Sequence, residues 1–188
     1  MPTLDPRSSA LVLIDLQVGI LGRTLAPRSG AEIFAIGRSL AERFRAAAAP
    51  VVLVRVEWAP DFADAPPANV DEPGPRRPGD LPPGWSELAE GLAAPGDILI
   101  TKRQWGAFYG TELDMQLRRR GVRTLVVGGV ATNFGVESTV RAAWEHGYDA
   151  VVAEDACTSM SQELHDFAIK RIFPRIARVT QSAEIAFA

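Results

Sequence analysis

The amino-acid sequence predicts an α/β fold in which an open, parallel, six-stranded sheet carries helices on both faces. Short apolar runs rich in Val, Ile and Leu recur along the chain, as expected for parallel strands that are buried on both sides. Amphipathic stretches with helical spacing separate these runs, which is the alternation of a Rossmann-like, doubly wound sheet. The length of 188 residues fits a single domain over residues 1–188.

The elements follow in order from these runs. Ser161 is the predicted N-cap of the last helix, and Pro174 is expected to stop that helix. Gly121 and Gly147 stand where left-handed helix caps are needed. The predicted strands are residues 10–15, 51–56, 97–100, 124–130, 148–154 and 175–179, and the predicted helices are residues 31–48, 111–120, 136–146 and 161–173.

The segment at residues 57–96 interrupts the alternation of strands and helices. It holds nine of the fourteen prolines, five glycines, and both Trp58 and Trp85. A connection of this length is typical of a lid or a binding loop, and a rigid surface excursion is the equally weighted alternative.

Composition excludes several classes of function. A hydrophobic content of 47% with a net charge of −3 indicates a soluble globular protein, with no electrostatic case for nucleic acid or an anionic membrane as a partner. Cys157 is the only cysteine, so no internal disulfide is expected. The N-terminus lacks a secretory pattern, so a cytoplasmic protein is expected. With His146 and His165 as the only histidines, a structural zinc site is excluded, and no metal or cofactor is expected.

Two ionisable residues end predicted strands at the carboxyl edge of the sheet, where ligands bind in such folds. Asp15 ends the first strand in LVLIDLQ, and burial there would raise its pKa and suit it to proton transfer; capping of the next turn is the alternative. Lys102 follows the third strand in ITKRQWGAFYGT, where its ammonium could face Asp15. Trp105 and Phe108 offer apolar walls for a small ligand.

A glycine-containing turn brings the end of the fourth strand to the same edge. Residues 128–139 read GGVATNFGVEST, with a helix predicted to begin near Phe134. Backbone N–H groups at a helix start can bind an oxyanion or a carboxylate. The run lacks the spacing and the lysine of a phosphate-binding loop, so nucleotide binding is not predicted.

These three motifs, together with FYGTEL at 108–113 and EDACTS at 154–159, resemble the isochorismatase-like (cysteine hydrolase) superfamily over nearly the whole chain. The resemblance implies a homo-oligomer, a dimer or a tetramer, and a site made of an aspartate, a lysine and a cysteine. Asp15 and Lys102 match the first two, and Gly135 occupies the position that is usually the nucleophilic cysteine. The resemblance also implies a cis peptide between Val130 and Ala131. The substrate-binding residues expected around this site are Gln17, Trp105, Phe108, Val130, Ala131, Thr132 and Phe134.

Gly135 removes the nucleophile that an amidase mechanism of this superfamily would need. Isochorismatases proper are similar to this chain in lacking the cysteine, and they hydrolyse a vinyl ether. On that basis the predicted function is hydrolysis of a small carboxylate-bearing substrate, with Asp15 as acid and base and Lys102 as its partner. The alternatives are a non-catalytic small-molecule binder and an amide hydrolase that uses activated water. Cys157 is expected to pack rather than react, and His165, on a helix face, is assigned no role.

Overall fold

The structure, a computed structural model, describes residues 3–75 and 77–188, so Arg76 of the predicted loop and the first two residues of the predicted domain lie outside the described residues. The described residues form eight strands, and six of these make one fully parallel sheet. The strands are β1 (Thr3–Leu4), β2 (Ser9–Ile14), β3 (Val51–Val56), β4 (Ile98–Lys102), β5 (Thr124–Val130), β6 (Asp149–Thr158), β7 (Arg178–Thr180) and β8 (Ala186–Phe187). The order across the large sheet is β4-β3-β2-β5-β6-β7, which confirms the predicted fold class.

In the part of the chain that the structure describes, five α-helices lie between these strands: α1 (Val18–Leu21), α2 (Gly30–Ala46), α3 (Leu113–Arg119), α4 (Glu137–Glu145) and α5 (Gln162–Phe167). Ser29 and Glu32 form a reciprocal capping box at the start of α2. Ser161 caps α5 as predicted, because its hydroxyl accepts a hydrogen bond from the Leu164 N–H. Gly121 and Gly147 adopt positive φ angles of 68° and 84°, the left-handed conformation that the sequence predicts there.

The sheet is buried on both faces. Along β2, Ala10, Val12 and Ile14 face a core that α3 and α4 complete, whereas Leu11 and Leu13 face a second core that α2 covers. Such continuous burial explains why β2 reads as an uninterrupted apolar run.

Several elements differ from the sequence prediction. β6 continues to Thr158, four residues beyond its predicted end, because a register shift opposite β5 lets the chain rejoin the ladder at Cys157. The predicted helix 161–173 is α5 followed by a π-turn (Ala168–Ile172) and a 3₁₀ turn that contains Pro174. β1 and β8 form a separate two-stranded sheet that pairs the two ends of the described chain.

The strand order places a ligand site. From β2 the chain adds β3 and then β4 on one side, and β5 then joins the opposite side of β2. The carboxyl ends of β2 and β5 therefore flank the topological switch point of the sheet, where open α/β folds bind ligands. Residues 57–75 and 77–96 form turns and one isolated bridge, and several of them lie over this edge. No helix among the described residues is long and apolar enough to cross a membrane.

Candidate active site

Asp15 and Lys102 form a buried ion pair at the carboxyl edge of the sheet. Asp15 directly follows β2 in a left-handed backbone conformation with φ 54°, and Lys102 is the last residue of β4. Lys102 Nζ donates a hydrogen bond to Asp15 Oδ2 over 2.8 Å, and the two side chains are only 2% and 8% exposed. Since β3 separates the two strands, the lysine side chain must cross a strand end to reach the carboxylate.

The Asp15 carboxyl has an unusual proton affinity. Burial raises the pKa of Asp15 to about 6, although the adjacent Lys102 ammonium acts in the opposite direction. Asp15 Oδ1 is shut off from solvent and has no hydrogen-bond partner among residues 3–75 and 77–188. An unpaired buried oxygen disfavours the ionised form of a carboxyl. A group with a pKa near 6 is suited to exchanging protons near neutral pH.

The turn after β5 lies against this pair. The Val130–Ala131 peptide is cis, as the resemblance implies, and a π-turn (Thr132–Val136) leads into α4. A Cβ atom placed on Gly135 would lie 3.3 Å from Asp15 Oδ2 and 3.0 Å from the Ile14 Cγ2 methyl group. Any side chain at position 135 would therefore project against the carboxylate, and glycine leaves that space open.

The close approach of β5 to β2 at this point depends on Gly129. Its φ of 126° lies in the region that L-residues rarely adopt, and a Cβ atom there would lie 2.1 Å from the Ile14 carbonyl oxygen. A larger residue would push apart the two strand ends that hold Asp15 and the turn.

Asp15, Lys102 and Gly135 line a cavity of about 590 Å³. Its walls are mostly apolar, and the aromatic rings are arranged in pairs: Trp58 stacks on Trp85 with centroids 5.7 Å apart, and Trp105 lies 4.6 Å from Phe134. Among the residues that the structure describes, the charged ones that line the cavity are Asp15, Arg23, Glu72, Lys102 and Arg103. An apolar cavity with a few fixed polar groups is the usual form of a small-molecule site.

Comparison with known sequences gives the family. The isochorismatase domain matches residues 9–184, which is nearly the whole chain. The chain belongs to the isochorismatase family.

Three relatives illustrate the range of similarity in this family. The isochorismatase family protein YecD of Escherichia coli O157:H7 is 50% identical over 186 residues, which cover 98% of each chain. A solved structure of an isochorismatase family protein from Burkholderia thailandensis is 45% identical, with a TM-score of 0.92 over 98% of this chain and 96% of that one. The ureidoacrylate amidohydrolase RutB of Methylobacterium radiotolerans is 35% identical over 199 residues, which cover 90% of this chain and 74% of RutB.

In this isochorismatase-family chain, seven of the predicted site residues border the cavity together: Asp15, Lys102, Trp105, Val130, Ala131, Phe134 and Gly135. The other three, Gln17, Phe108 and Thr132, do not line this cavity. Phe108 packs in the core against His146 and Tyr148. The buried Gln17 amide bridges backbone groups of Val56 and Trp85.

Thr132, the third of these residues, begins the turn and is fully buried. Its hydroxyl is 2.9 Å from His165 Nδ1, and His165 Nε2 is 3.0 Å from Glu154 Oε1. Arg28 contacts both oxygens of Glu154, at 3.0 and 3.1 Å. His165, which was assigned no role, is thus a buried link between this ion pair and the active-site turn. A lone helical histidine carries no sequence signal for such a contact.

Sequence reasoning also missed Arg103, although it directly follows Lys102, and it did not place Trp58 and Trp85 on the cavity wall. Cys157 is buried away from the cavity lining, and burial raises the pKa of its thiol to about 12. Among the residues that the structure describes, no group of three or more His, Cys, Asp or Glu side chains is placed to hold a metal ion.

Proposed function

We propose that this isochorismatase-family protein hydrolyses a small carboxylate-bearing substrate without a thiol nucleophile, using Asp15 to move the proton. The observation that carries the proposal is the position of Gly135. A side chain there would project to within 3.3 Å of Asp15 Oδ2, so the glycine leaves the carboxyl as the reactive group facing that space. Isochorismatases proper, which this chain resembles in lacking the cysteine, hydrolyse a vinyl ether.

The proposed chemistry begins with neutral Asp15. The carboxylic acid donates its proton to the terminal methylene carbon of an enol-pyruvyl ether, which leaves an oxocarbenium ion and an Asp15 carboxylate. The ammonium of Lys102, 2.8 Å from Oδ2, stabilises the negative charge that forms. A pKa of about 6 leaves part of the protein in the acidic form near neutral pH.

Water then completes the reaction. It adds to the oxocarbenium carbon and gives up a proton, which restores the acid form of Asp15. The resulting hemiketal breaks its bond to the alcohol oxygen, and the products are pyruvate and the free alcohol. One water is consumed, and no oxidant or reductant is needed.

Isochorismate tests this proposal directly. Pyruvate release is measured for wild type, Asp15→Asn and the control Asp166→Asn, which alters an exposed aspartate in a surface pair with Lys170. We expect Asp15→Asn to lose about 10²- to 10⁴-fold in kcat/KM, and the control to match wild type. In D₂O, carbon protonation should leave one deuterium in each pyruvate methyl group, beyond the exchange seen when pyruvate alone is incubated with the protein.

Two results would overturn the vinyl-ether proposal. Undiminished release by a folded Asp15→Asn variant would remove Asp15 from the mechanism. Saturable binding of isochorismate without turnover would favour the non-catalytic alternative.

Amide hydrolysis is the second candidate, and the similarity to the ureidoacrylate amidohydrolase supports it. In that case ionised Asp15 would accept a proton from water as the water attacks the carbonyl carbon. This reaction predicts ammonia release from ureidoacrylate that survives Cys157→Ala and is lost in Asp15→Asn.

A further inference from the structure

Arg103 differs from the other half-buried arginines in how its guanidinium is used. Arg28, Arg43, Arg45 and Arg55 each donate at least one Nη hydrogen bond to a protein oxygen. Arg103 donates only through Nε, to Asp64 Oδ2 over 2.5 Å. Neither Nη nitrogen of Arg103 has a partner among residues 3–75 and 77–188, and Nη1 is also cut off from solvent. A buried charged donor without a partner is costly and calls for an explanation.

The surroundings of Arg103 fix its position. Asp64 Oδ1 accepts a hydrogen bond from the Ala59 N–H over 2.8 Å, which fixes the carboxylate within its own loop, while Oδ2 contacts Arg103. The Ala59 N–H bond and then Arg103 hold the pKa of Asp64 below its usual value, so this carboxylate stays ionised. Trp58 Nε1 donates to the Arg103 carbonyl oxygen over 2.6 Å, which anchors the backbone. Trp58 therefore holds the backbone of Arg103, and Asp64 holds its guanidinium.

Arg103 also borders the cavity that contains the Asp15–Lys102 pair. Nε of Arg103 is occupied and Nη1 is cut off from solvent, so Nη2 is the guanidinium nitrogen that can donate to a carboxylate oxygen. Lys102 already donates a hydrogen bond to Asp15, whereas Arg103 lines the same cavity with Nη nitrogens that no described residue uses. The aromatic walls suit a flat apolar body between the two groups.

We propose that Arg103 binds the carboxylate of the substrate and that Asp64 is the positioning residue that aims its Nη2 nitrogen. This subsite deepens the proposed function and rests on it for the identity of the reacting bond. The carboxylate of the ligand lies at Arg103, and the reacting bond lies within reach of Asp15.

Binding of two ligands with the same shape tests the subsite without turnover. Benzoate and benzamide differ mainly in charge, and isothermal titration calorimetry gives the Kd of each for wild type and Arg103→Gln. We expect wild type to prefer benzoate by about tenfold or more, and Arg103→Gln to lose about 10- to 100-fold for benzoate with little change for benzamide. Arg103→Lys should fall between them, because it keeps the charge and loses the planar fork.

Asp64→Asn tests the positioning role. It should weaken benzoate binding several-fold and leave benzamide unchanged, whereas a purely structural role for Asp64 would weaken both ligands equally. Arg38→Gln is the matched control, because Arg38 also pairs with a carboxylate through Nε alone but lies exposed on α2. It should bind both ligands like wild type.

The proposal is overturned if wild type binds benzoate no more tightly than benzamide, or if Arg103→Gln loses both ligands equally. The first result needs no variant, so a folding defect in Arg103→Gln cannot hide the answer. Failure of the proposed reaction would look different, because benzoate preference would persist while pyruvate release was absent.

Discussion

Removing Lys102 should destabilise the protein by an amount that grows with pH. In Lys102→Met, Asp15 keeps its burial and loses the partner that most strongly favours its ionised form. The pKa of Asp15 should therefore rise from about 6 towards the range near 8 that is known for buried carboxyls without a counter-ion. The exposed pair of Lys170 and Asp166 has the same 2.8 Å separation and provides the control Lys170→Met.

The size of the effect follows from proton linkage. A carboxyl whose folded pKa lies above its unfolded value of 3.8 loses stability as the pH rises between these two values, and the loss stops above the folded pKa. In wild type the loss ends near pH 6. In Lys102→Met it continues, at about 1.4 kcal/mol per pH unit. Relative to wild type, the free energy of unfolding of the variant should thus fall by about 2–3 kcal/mol between about pH 6 and about pH 8.

Urea unfolding at these two pH values measures the effect for wild type and both variants. Lys170→Met should cost no more than about 0.5 kcal/mol at either pH, because water screens an exposed pair. A cost for Lys102→Met that is equal at both pH values would refute the reasoning, because it would mean that Asp15 does not titrate in this window. A pH-dependent cost for Lys170→Met would show that the pH dependence of the unfolding free energy does not report on the buried pair.

Three further predictions concern the site. If neutral Asp15 is the proton donor, kcat/KM for pyruvate release should be level below about pH 6 and fall about tenfold per pH unit above it, and a pH–rate profile flat to about pH 8 would contradict this. In a Cys157→Ala background, Gly135→Cys should create a thiol that iodoacetamide modifies, as followed by mass spectrometry. Wild type should resist the reagent, because burial holds the pKa of Cys157 at about 12. His165→Ala removes the hydrogen bonds of His165 to Thr132 and Glu154 and should lower the free energy of unfolding in urea by about 2–4 kcal/mol. A cost below about 0.5 kcal/mol would show that these two contacts do not stabilise the turn.

The parts of the fold that the sequence could predict are those governed by local patterns. β2, β3 and β5 are continuous apolar runs because both of their faces are buried, so their positions can be read directly from composition. The meeting of Asp15 with Lys102 could also be predicted, because parallel strands end at a common edge. By contrast, β1 and β8 pair only two residues each from opposite ends of the described chain, and no local pattern indicates a contact so distant in sequence.

Side-chain direction explains the residues that were misplaced. Phe108 lies only three residues beyond Trp105, yet Trp105 is 62% exposed beside the cavity and Phe108 is buried in the core. The intervening turn decides which ring faces the ligand, and turns of this kind have no periodicity to read. Arg103 was missed for a related reason, because its significance depends on Asp64, a residue 39 positions earlier that only the folded loop brings to it.

The glycine at position 135 has a consequence for the carboxyl beside it. If a cysteine occupied this position, its Cβ would lie 3.3 Å from Asp15 Oδ2, and an ionised Asp15 could serve as the base that activates the thiol. Without the thiol, a donor is needed that still holds its proton near neutral pH, and burial of Asp15 provides this by raising its pKa to about 6. We therefore infer that Gly135→Cys restores a nucleophile only at the expense of proton donation. A cysteine side chain at position 135 would fill the space next to Asp15 Oδ2 that glycine leaves open, keep the substrate carbon away from the proton donor, and suppress vinyl-ether cleavage even while the new thiol reacts with iodoacetamide.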